Sequence, residues 1–186
     1  MGRLDPASVR ACYAEGKRAG ENLCVAYAHQ YGIPTRIVRP FHTYGPGMAL
    51  GDGRVFSDFM GDVVARRDIV VKSDGLAVRP FCYVGDATRA FFTALLLGAN
   101  GAPYNVANPA AEMSVAELAE TLVAAFPERT LKVVRQARHP DDSYLETTLA
   151  RASLDISKLQ KLGWEPGIGI AEGFRRTARS FGVVSN

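Results

Sequence analysis

Helix and strand signals alternate along this chain of 186 residues, and this alternation limits the folds open to it more than any other feature. A long helix is predicted over Ala7–Tyr31, because Gly32 and Pro34 would end it. A short strand rich in β-branched residues is predicted next, over Thr35–Arg39. The alternation continues to a last predicted helix at Ile170–Phe181. Such a pattern is typical of the α/β class.

The remaining predicted elements continue the alternation of helices and strands. Further helices are predicted at Val55–Arg66, Asp86–Leu97, Ser114–Phe126 (with a capping box of Ser114 and Glu117) and Asp155–Leu162. Further strands are predicted at Ile69–Lys72, Val78–Val84, Pro103–Ala107 and Leu131–Arg135. Pro40–Arg54 contains four glycines and two prolines and is predicted to be a long loop, at a length that favours a functional role.

The composition excludes several classes of protein. The net charge is only +3, and no run of Lys or Arg is longer than a pair, so we expect no nucleic-acid partner. The longest apolar stretch, Ala90–Ala99, is well short of the roughly 20 residues that a membrane span needs. The first residues are polar and lack the apolar core of a signal peptide. We therefore expect a cytoplasmic protein without membrane contact.

The metal-binding residue types are sparse. The three cysteines form no Cys-x-x-Cys pair, and the three histidines have no ligand-like spacing. We therefore expect neither a disulfide framework nor a metal site.

Tyr13 and Lys17 are the residues whose spacing most directly suggests chemistry. They are four apart on the predicted first helix, so their side chains share one face. A lysine cation at that range stabilises a phenolate and lowers a tyrosine pKa, which suits proton transfer. A surface tyrosine beside a solvated lysine is the alternative, since such pairs also arise by chance.

Five segments occur in the order found in a known enzyme family. They are Arg10–Glu21 around Tyr13 and Lys17, Thr35–Met48 (Thr-Arg-Ile-Val-Arg-Pro-Phe-His-Thr-Tyr-Gly-Pro-Gly-Met), Asp52–Met60, Val78–Asp86 (Val-Arg-Pro-Phe-Cys-Tyr-Val-Gly-Asp) and Leu154–Pro166. Together they resemble the extended short-chain dehydrogenase/reductases. Within that family, these segments are most similar to those of NAD-dependent nucleotide-sugar epimerases, dehydratases and UDP-glucuronate decarboxylases. The resemblance runs from about residue 5 to residue 181.

The resemblance implies a fold and a domain division. It implies an α/β chain made of the C-terminal part of a Rossmann-type fold and a small α/β substrate-binding domain. Residues 1–40 would be the remnant of the dinucleotide-binding domain, with the tyrosine helix and the strand that follows it. Residues 41–186 would be the substrate-binding region.

The resemblance also implies roles for single residues. Tyr13 would remove a proton from a sugar hydroxyl while a hydride passes to NAD, and Lys17 would assist Tyr13 and bind the nicotinamide ribose. Arg79 and Arg151 match family arginines that hold the nucleotide and diphosphate of the substrate. Guanidinium groups suit phosphate oxygens because two N–H groups can donate in parallel.

Two positions depart from the family pattern. His42 stands where the family usually has an asparagine that contacts the substrate diphosphate, and Gly47 stands where decarboxylase-like members have an arginine. His42 could still donate to a phosphate, but these changes leave open which sugar is bound. Epimerase, dehydratase and decarboxylase therefore all remain possible.

The glycine-rich turn that holds the NAD pyrophosphate has no counterpart in this sequence. Gly45-Pro-Gly47 and Gly167-Ile-Gly169 lack the third glycine at the required spacing. The resemblance implies NAD as the cofactor of the family. Because the glycine-rich turn is missing, we expect little NAD binding by this chain alone. The same absence keeps open two alternatives to an enzyme half: a non-catalytic nucleotide-sugar-binding module, or a remnant that only dimerises.

The resemblance further implies a homodimer. In extended members of the family, the tyrosine helix commonly packs in a four-helix dimer interface. Small side chains that would allow close helix approach occur here at Ala14, Gly20, Ala26 and Ala28. The expected partners are thus a nucleotide-diphosphate sugar and a second copy of this chain.

Overall fold

Helices and strands alternate through the computed structural model, which describes residues 5, 7–9, 11–136 and 154–183. The helices are α1 (Ala11–Tyr31), α2 (Val55–Val64), α3 (Val84–Leu97), α4 (Val115–Ala125), α5 (Ser157–Gln160) and α6 (Ile170–Ser180). The strands are β1 (Ile37–Pro40), β2 (Thr43–Tyr44), β3 (Ile69–Val71), β4 (Val78–Pro80), β5 (Cys82–Tyr83), β6 (Pro103–Val106), β7 (Glu112–Ser114) and β8 (Val133–Arg135). The predicted α/β class is confirmed.

Most strands pair in parallel. The pairs β1–β6, β2–β5 and β3–β8 are parallel, and β4–β7 is antiparallel. In the first pair Ile37 lies opposite Pro103 and Pro40 lies opposite Val106. Because both strands run in the same direction, their carboxyl ends meet at one edge, and the segment that begins at Phe41 leaves from that edge.

The structure corrects three details of the predicted elements. The loop predicted at Pro40–Arg54 contains β2. The strand predicted at Val78–Val84 is two short strands, and Val84 begins α3 because Tyr83 has the extended backbone of an N-cap residue. Strand β7 was not predicted, since it forms only by pairing with β4 and its three residues carry no alternating pattern. The capping box of α4 is present as predicted.

A buried carboxylate joins α3 to the segment that precedes α6. The Asp86 side chain accepts hydrogen bonds from the backbone N–H groups of Gly167, at 3.0 Å, and Ile168, at 2.8 Å. Arg89 donates to its other oxygen at 3.0 Å, and the Trp164 indole donates to the Asp86 carbonyl at 3.0 Å. Asp86 is 1% exposed, so its carboxylate is stabilised by these hydrogen bonds and not by water.

The side chains pack into two core clusters. One contains the buried residues of α2, α4 and α6 with those of β3. The other contains those of α3, β6 and α5 together with Trp164, with Val38 of β1 packed against it. Segments from both sides of residue 40 thus contribute to the second cluster, and the domain boundary at residue 40 stays a prediction.

Helix α6 touches the tyrosine that ends β2. The rings of Tyr44 and Phe174 are stacked with their centroids 4.1 Å apart, and the Tyr44 hydroxyl donates to the Ile170 carbonyl at 3.4 Å. A Cβ placed on Gly173 would lie 2.2 Å from the Tyr44 hydroxyl oxygen. A glycine is therefore required at this point of α6 for close packing.

Replacing Gly173 should weaken the fold. Gly173→Ala forces Tyr44 or α6 to move, and overpacking of this kind costs about 1–3 kcal/mol of unfolding free energy. Urea unfolding measures the loss as a lower midpoint. Gly61→Ala in α2 is the matched control, since its Cβ would meet no atom closer than 3.8 Å and helix propensity favours alanine. Equal midpoints for Gly173→Ala and the wild type would contradict the packing argument.

Helix α3 presents an apolar face to solvent. Phe92, Leu95 and Leu96 are 59%, 59% and 73% exposed. Phe91 and Leu95 line a groove with Arg36 and Val38 of the β1 segment. In the described residues, β1 pairs only with β6, so its other edge is also uncovered beside this groove. A free strand edge next to an apolar helix face favours association.

We expect the chain to form dimers or larger species in solution. Light scattering over a tenfold range of concentration should show a mass above that of the monomer. Phe92→Glu places a charge on the apolar face of α3 and should lower that mass, whereas Ala124→Glu on the exposed side of α4 should not. A monomeric wild-type chain throughout that range would contradict this expectation.

Candidate functional site

Tyr13 and Lys17 share one face of α1, as their spacing predicts; we call them the α1 pair. The Lys17 ammonium nitrogen lies 5.5 Å from the centroid of the Tyr13 ring. Tyr13 is 73% exposed, so its phenol is accessible to a ligand. The structure thus brings a cation and a phenol together on an open surface, and their catalytic role stays a prediction.

Two contacts determine how α1 lies against β1. The Thr35 hydroxyl donates to the Cys24 carbonyl at 3.1 Å, and Nε of Arg39 donates to the Glu21 carboxylate at 2.6 Å. This ion pair lowers the pKa of Glu21. Thr35 bonds to Cys24, and Arg39, four residues later, bonds to Glu21, which is nearer the N-terminus of α1. The α1 pair, which precedes Glu21, therefore lies toward the carboxyl end of β1.

His42 lies just beyond that carboxyl end, beside two phenylalanine rings that also contact each other. Its ring centroid is 5.7 Å from that of Phe81 and 6.4 Å from that of Phe56. Its carbonyl accepts the Cys82 N–H at 3.3 Å, and its φ of 31° is in the left-handed region. Burial lowers the pKa of His42, and the nearby charge of Arg79 lowers it further. His42 is therefore mainly neutral at pH 7.

Arg79 reaches the same place from β4. It lies opposite Met113 in the β4–β7 pair and is half-buried, and its guanidinium donates to the Val78 carbonyl at 2.7 Å. The structure therefore brings together two of the three predicted substrate-binding residues, His42 and Arg79, although they are far apart in sequence. The third, Arg151, lies outside the described residues.

Arg54 is a further cation that the sequence reasoning missed. Its guanidinium carbon lies 5.0 Å from the centroid of the Phe56 ring, which His42 also contacts. Nε of Arg54 donates to Asp52 at 2.8 Å, and this bond lowers the pKa of Asp52. Arg54 is the N-cap residue of α2, where the helix dipole disfavours a cation, and that unfavourable position is the signal that could have identified it. We call His42, Arg54 and Arg79 the cationic cluster.

One glycine of each pair compared with a phosphate-binding turn has a structural role. A Cβ on Gly45 would lie 2.2 Å from the Val84 side chain, so β2 and α3 meet closely there. The N–H of Gly167 donates to Asp86 and is not free for a phosphate. Gly45 and Gly167 are therefore engaged in contacts within the chain.

The described ranges lack the features of two other classes of site. They contain no group of three or more His, Cys, Asp or Glu side chains that could hold a metal ion. Their helices include none with both the length and the apolar character that crossing a membrane requires.

Sequence comparisons identify relatives of the chain. The model of the NAD dependent epimerase/dehydratase family matches residues 3–107. UDP-glucuronic acid decarboxylase 6 of Arabidopsis thaliana is 39% identical over 174 residues, which is 92% of this chain and 48% of that protein. UDP-glucuronic acid decarboxylase 1 of Xenopus tropicalis is 35% identical over 97% of this chain and 41% of that protein. The chain thus spans about half the length, or less, of these curated relatives.

Solved structures with the same fold support this assignment. RMD from Pseudomonas aeruginosa, complexed with NADPH, superposes with a TM-score of 0.75 at 27% identity and covers 91% of this chain and 55% of its own. UDP-glucose 4-epimerase from Thermotoga maritima, complexed with UDP-glucose, has a TM-score of 0.76 at 25% identity, over 91% of this chain and 52% of its own. The fold is therefore of the Rossmann type found in these enzymes, and the chain belongs to the NAD-dependent epimerase/dehydratase family.

Proposed function

We propose that this chain is the substrate-binding half of an NAD-dependent nucleotide-sugar epimerase, dehydratase or decarboxylase and that it carries the catalytic tyrosine. One observation carries the proposal: the α1 pair and the cationic cluster both lie toward the carboxyl end of β1. Ligands of open α/β sheets bind at that end of the strands. The relatives named as UDP-glucuronic acid decarboxylases support a nucleotide sugar as the ligand.

The α1 pair would carry out the proton transfer. The Tyr13 phenolate takes the proton from a sugar hydroxyl, and the Lys17 cation 5.5 Å from the Tyr13 ring stabilises that phenolate. NAD, when bound, accepts the hydride from the carbon that bears this hydroxyl. Lys17 would also hydrogen-bond the nicotinamide ribose, which its exposed position on α1 allows.

The cationic cluster would hold the diphosphate of the substrate. Arg79 can donate two parallel hydrogen bonds to phosphate oxygens, and Arg54 adds a second guanidinium beside Phe56. The ring of His42 completes the cluster with a neutral imidazole that can donate one hydrogen bond. The positive charge of Arg79 attracts a diphosphate, whereas the charge of Arg54 is paired with Asp52.

A non-catalytic nucleotide-sugar-binding module is the second candidate. The observation that favours it is the contrast, in the described residues, between the candidate site for the substrate diphosphate and the candidate site for the NAD pyrophosphate. The cationic cluster is formed by side chains of this chain, whereas Gly45-Pro-Gly47 and Gly167-Ile-Gly169 both lack the glycine spacing of a pyrophosphate-binding turn. A chain that holds the nucleotide sugar without NAD would bind but not turn over.

The homodimer also belongs to this proposal, with α1 as one contact helix beside the apolar face of α3. Leu23 is 56% exposed, and a Cβ on Gly16 or Gly20 would meet no atom within 4 Å, so this side of α1 is open for close helix approach. We also propose a cytoplasmic location; Cys12, Cys24 and Cys82 are all free thiols, as a reducing compartment favours.

Substitutions at Arg79 and Tyr13 separate binding from catalysis. Arg79→Lys keeps the charge but loses the parallel pair of donors, so the affinity for UDP should fall by about tenfold to a hundredfold, given about 1.5–3 kcal/mol for a charge-assisted hydrogen bond. Tyr13→Phe should leave UDP affinity nearly unchanged, because the phenol would face the sugar. Calorimetric titration with UDP measures both.

Arg179→Lys on the exposed side of α6 is the matched control and should bind UDP like the wild type. Equal losses in Arg79→Lys and Tyr13→Phe, or no loss in either, would contradict these roles.

We expect this chain alone to bind NAD only weakly. The reason is the missing pyrophosphate cradle and not a defect in the α1 pair, since Lys17 lies beside Tyr13 as required. Calorimetric titration with NAD should therefore show no saturable binding in the micromolar range, and Lys17→Ala should give the same isotherm as the wild type. Saturable micromolar binding that Lys17→Ala abolishes would contradict this view.

A further inference from the structure

His42 differs from the other members of the cationic cluster in one chemical respect. The guanidinium groups of Arg54 and Arg79 keep their charge at every pH at which the protein is folded, whereas an imidazole changes charge near neutral pH. His42 is half-buried against the rings of Phe56 and Phe81, at 6.4 Å and 5.7 Å between centroids. The charge of the whole cluster can therefore change at this single side chain.

The charged groups around His42 favour its neutral form while no ligand is bound. Arg79 lies on β4, and its charge acts on His42. Arg54 lies at the start of α2 and is paired with Asp52. On β5 the Cys82 thiol is neutral, because burial raises its pKa to about 12. The neighbouring charge that acts on the pKa of His42 is the positive charge of Arg79.

On strand β7, next to β4, the carboxylate is that of Glu112, which lies opposite Pro80. It does not contribute to the lowered pKa of His42, whose causes are burial and Arg79. A ligand that brings negative charge to Arg79 would therefore reverse the sign of the local field at His42.

We propose that His42 takes up a proton when a diphosphate binds beside Arg79, so that this chain holds a nucleotide sugar more tightly as the pH falls. The inference rests on the proposed function, because it concerns the diphosphate of the same ligand. Two phosphate charges near the imidazole favour its cation, as any opposite charge within about 4–6 Å does.

The sign of the pH dependence follows from this linkage. The free protein has a lowered His42 pKa, so the proton is absent at neutral pH. The diphosphate raises that pKa, and the proton enters on binding. The affinity therefore increases as the pH falls through the pKa of the complex and levels off below the pKa of the free protein. Each unit of difference between the two pKa values gives a change of about tenfold in affinity.

Calorimetric titration with UDP-glucose tests the proposal. Both of its phosphates are diesters whose charge is constant near neutral pH, so any pH dependence belongs to the protein. For the wild type we expect binding about threefold to tenfold tighter at about pH 6 than at about pH 8, given a tenfold change per pKa unit. Titrations in buffers with different ionisation enthalpies should also show net proton uptake.

His42→Asn is the informative variant, because asparagine accepts the positive φ at this position and cannot titrate. It should bind UDP-glucose with the same affinity at both pH values and without proton uptake. His29→Asn, on the exposed surface of α1, is the matched control and should behave like the wild type. A pH dependence that persists in His42→Asn, or its absence from the wild type, would overturn the proposal.

A second measurement distinguishes failure of this inference from failure of the proposed function. The imidazole resonance of His42, assigned by comparison with His42→Asn, gives its pKa with and without inorganic pyrophosphate. A raised pKa in pyrophosphate, combined with no binding of UDP-glucose at any pH, would reject the nucleotide sugar but keep the proton-linked anion site. An unchanged pKa in saturating pyrophosphate would overturn the inference itself.

Discussion

The buried carboxylate of Asp86 is the interaction on which the rest of the structure depends. It lies in the first turn of α3 and accepts two backbone N–H groups of the segment that leads into α6. Helix α3 belongs to one core cluster and α6 to the other, so this single side chain joins the two. Without these donors a charge would be buried unpaired, at a cost of several kcal/mol.

The same carboxylate helps to position the candidate site. Asp86 is the third residue after β5, and β5 pairs with β2 immediately after His42. The Cys82 N–H donates to the His42 carbonyl, so the backbone that carries His42 is held in the left-handed conformation by the strand that leads to α3. The backbone position of His42 is therefore linked through β5 to the start of α3, where Asp86 forms its buried hydrogen bonds.

The uncovered surfaces have a common physical origin. Helices α1 and α3 both accompany β1, and both leave large apolar side chains exposed, among them Leu23 and Phe92. Parallel strands are normally covered on both faces and extended at both edges. The chain spans about half the length of its relatives, and its open faces are grouped around the strand that lacks a second neighbour in the described residues. Open faces of this kind favour association.

Local patterns in the sequence determined the class of fold, most helices and the α1 pair, because each depends on residues close together in the chain. The capping box at Ser114 and the four-residue spacing of Tyr13 and Lys17 are examples. Local patterns did not predict the division of Val78–Val84 into two strands or the pairing of β7 with β4. Both features depend on partners that are distant in sequence. Only the tertiary structure placed Arg54 and His42 against one phenylalanine ring and gave His42 its lowered pKa. The physical reason is that burial and the field of neighbouring charges arise from contacts across the fold, and the amino-acid order states which groups exist but not which of them meet.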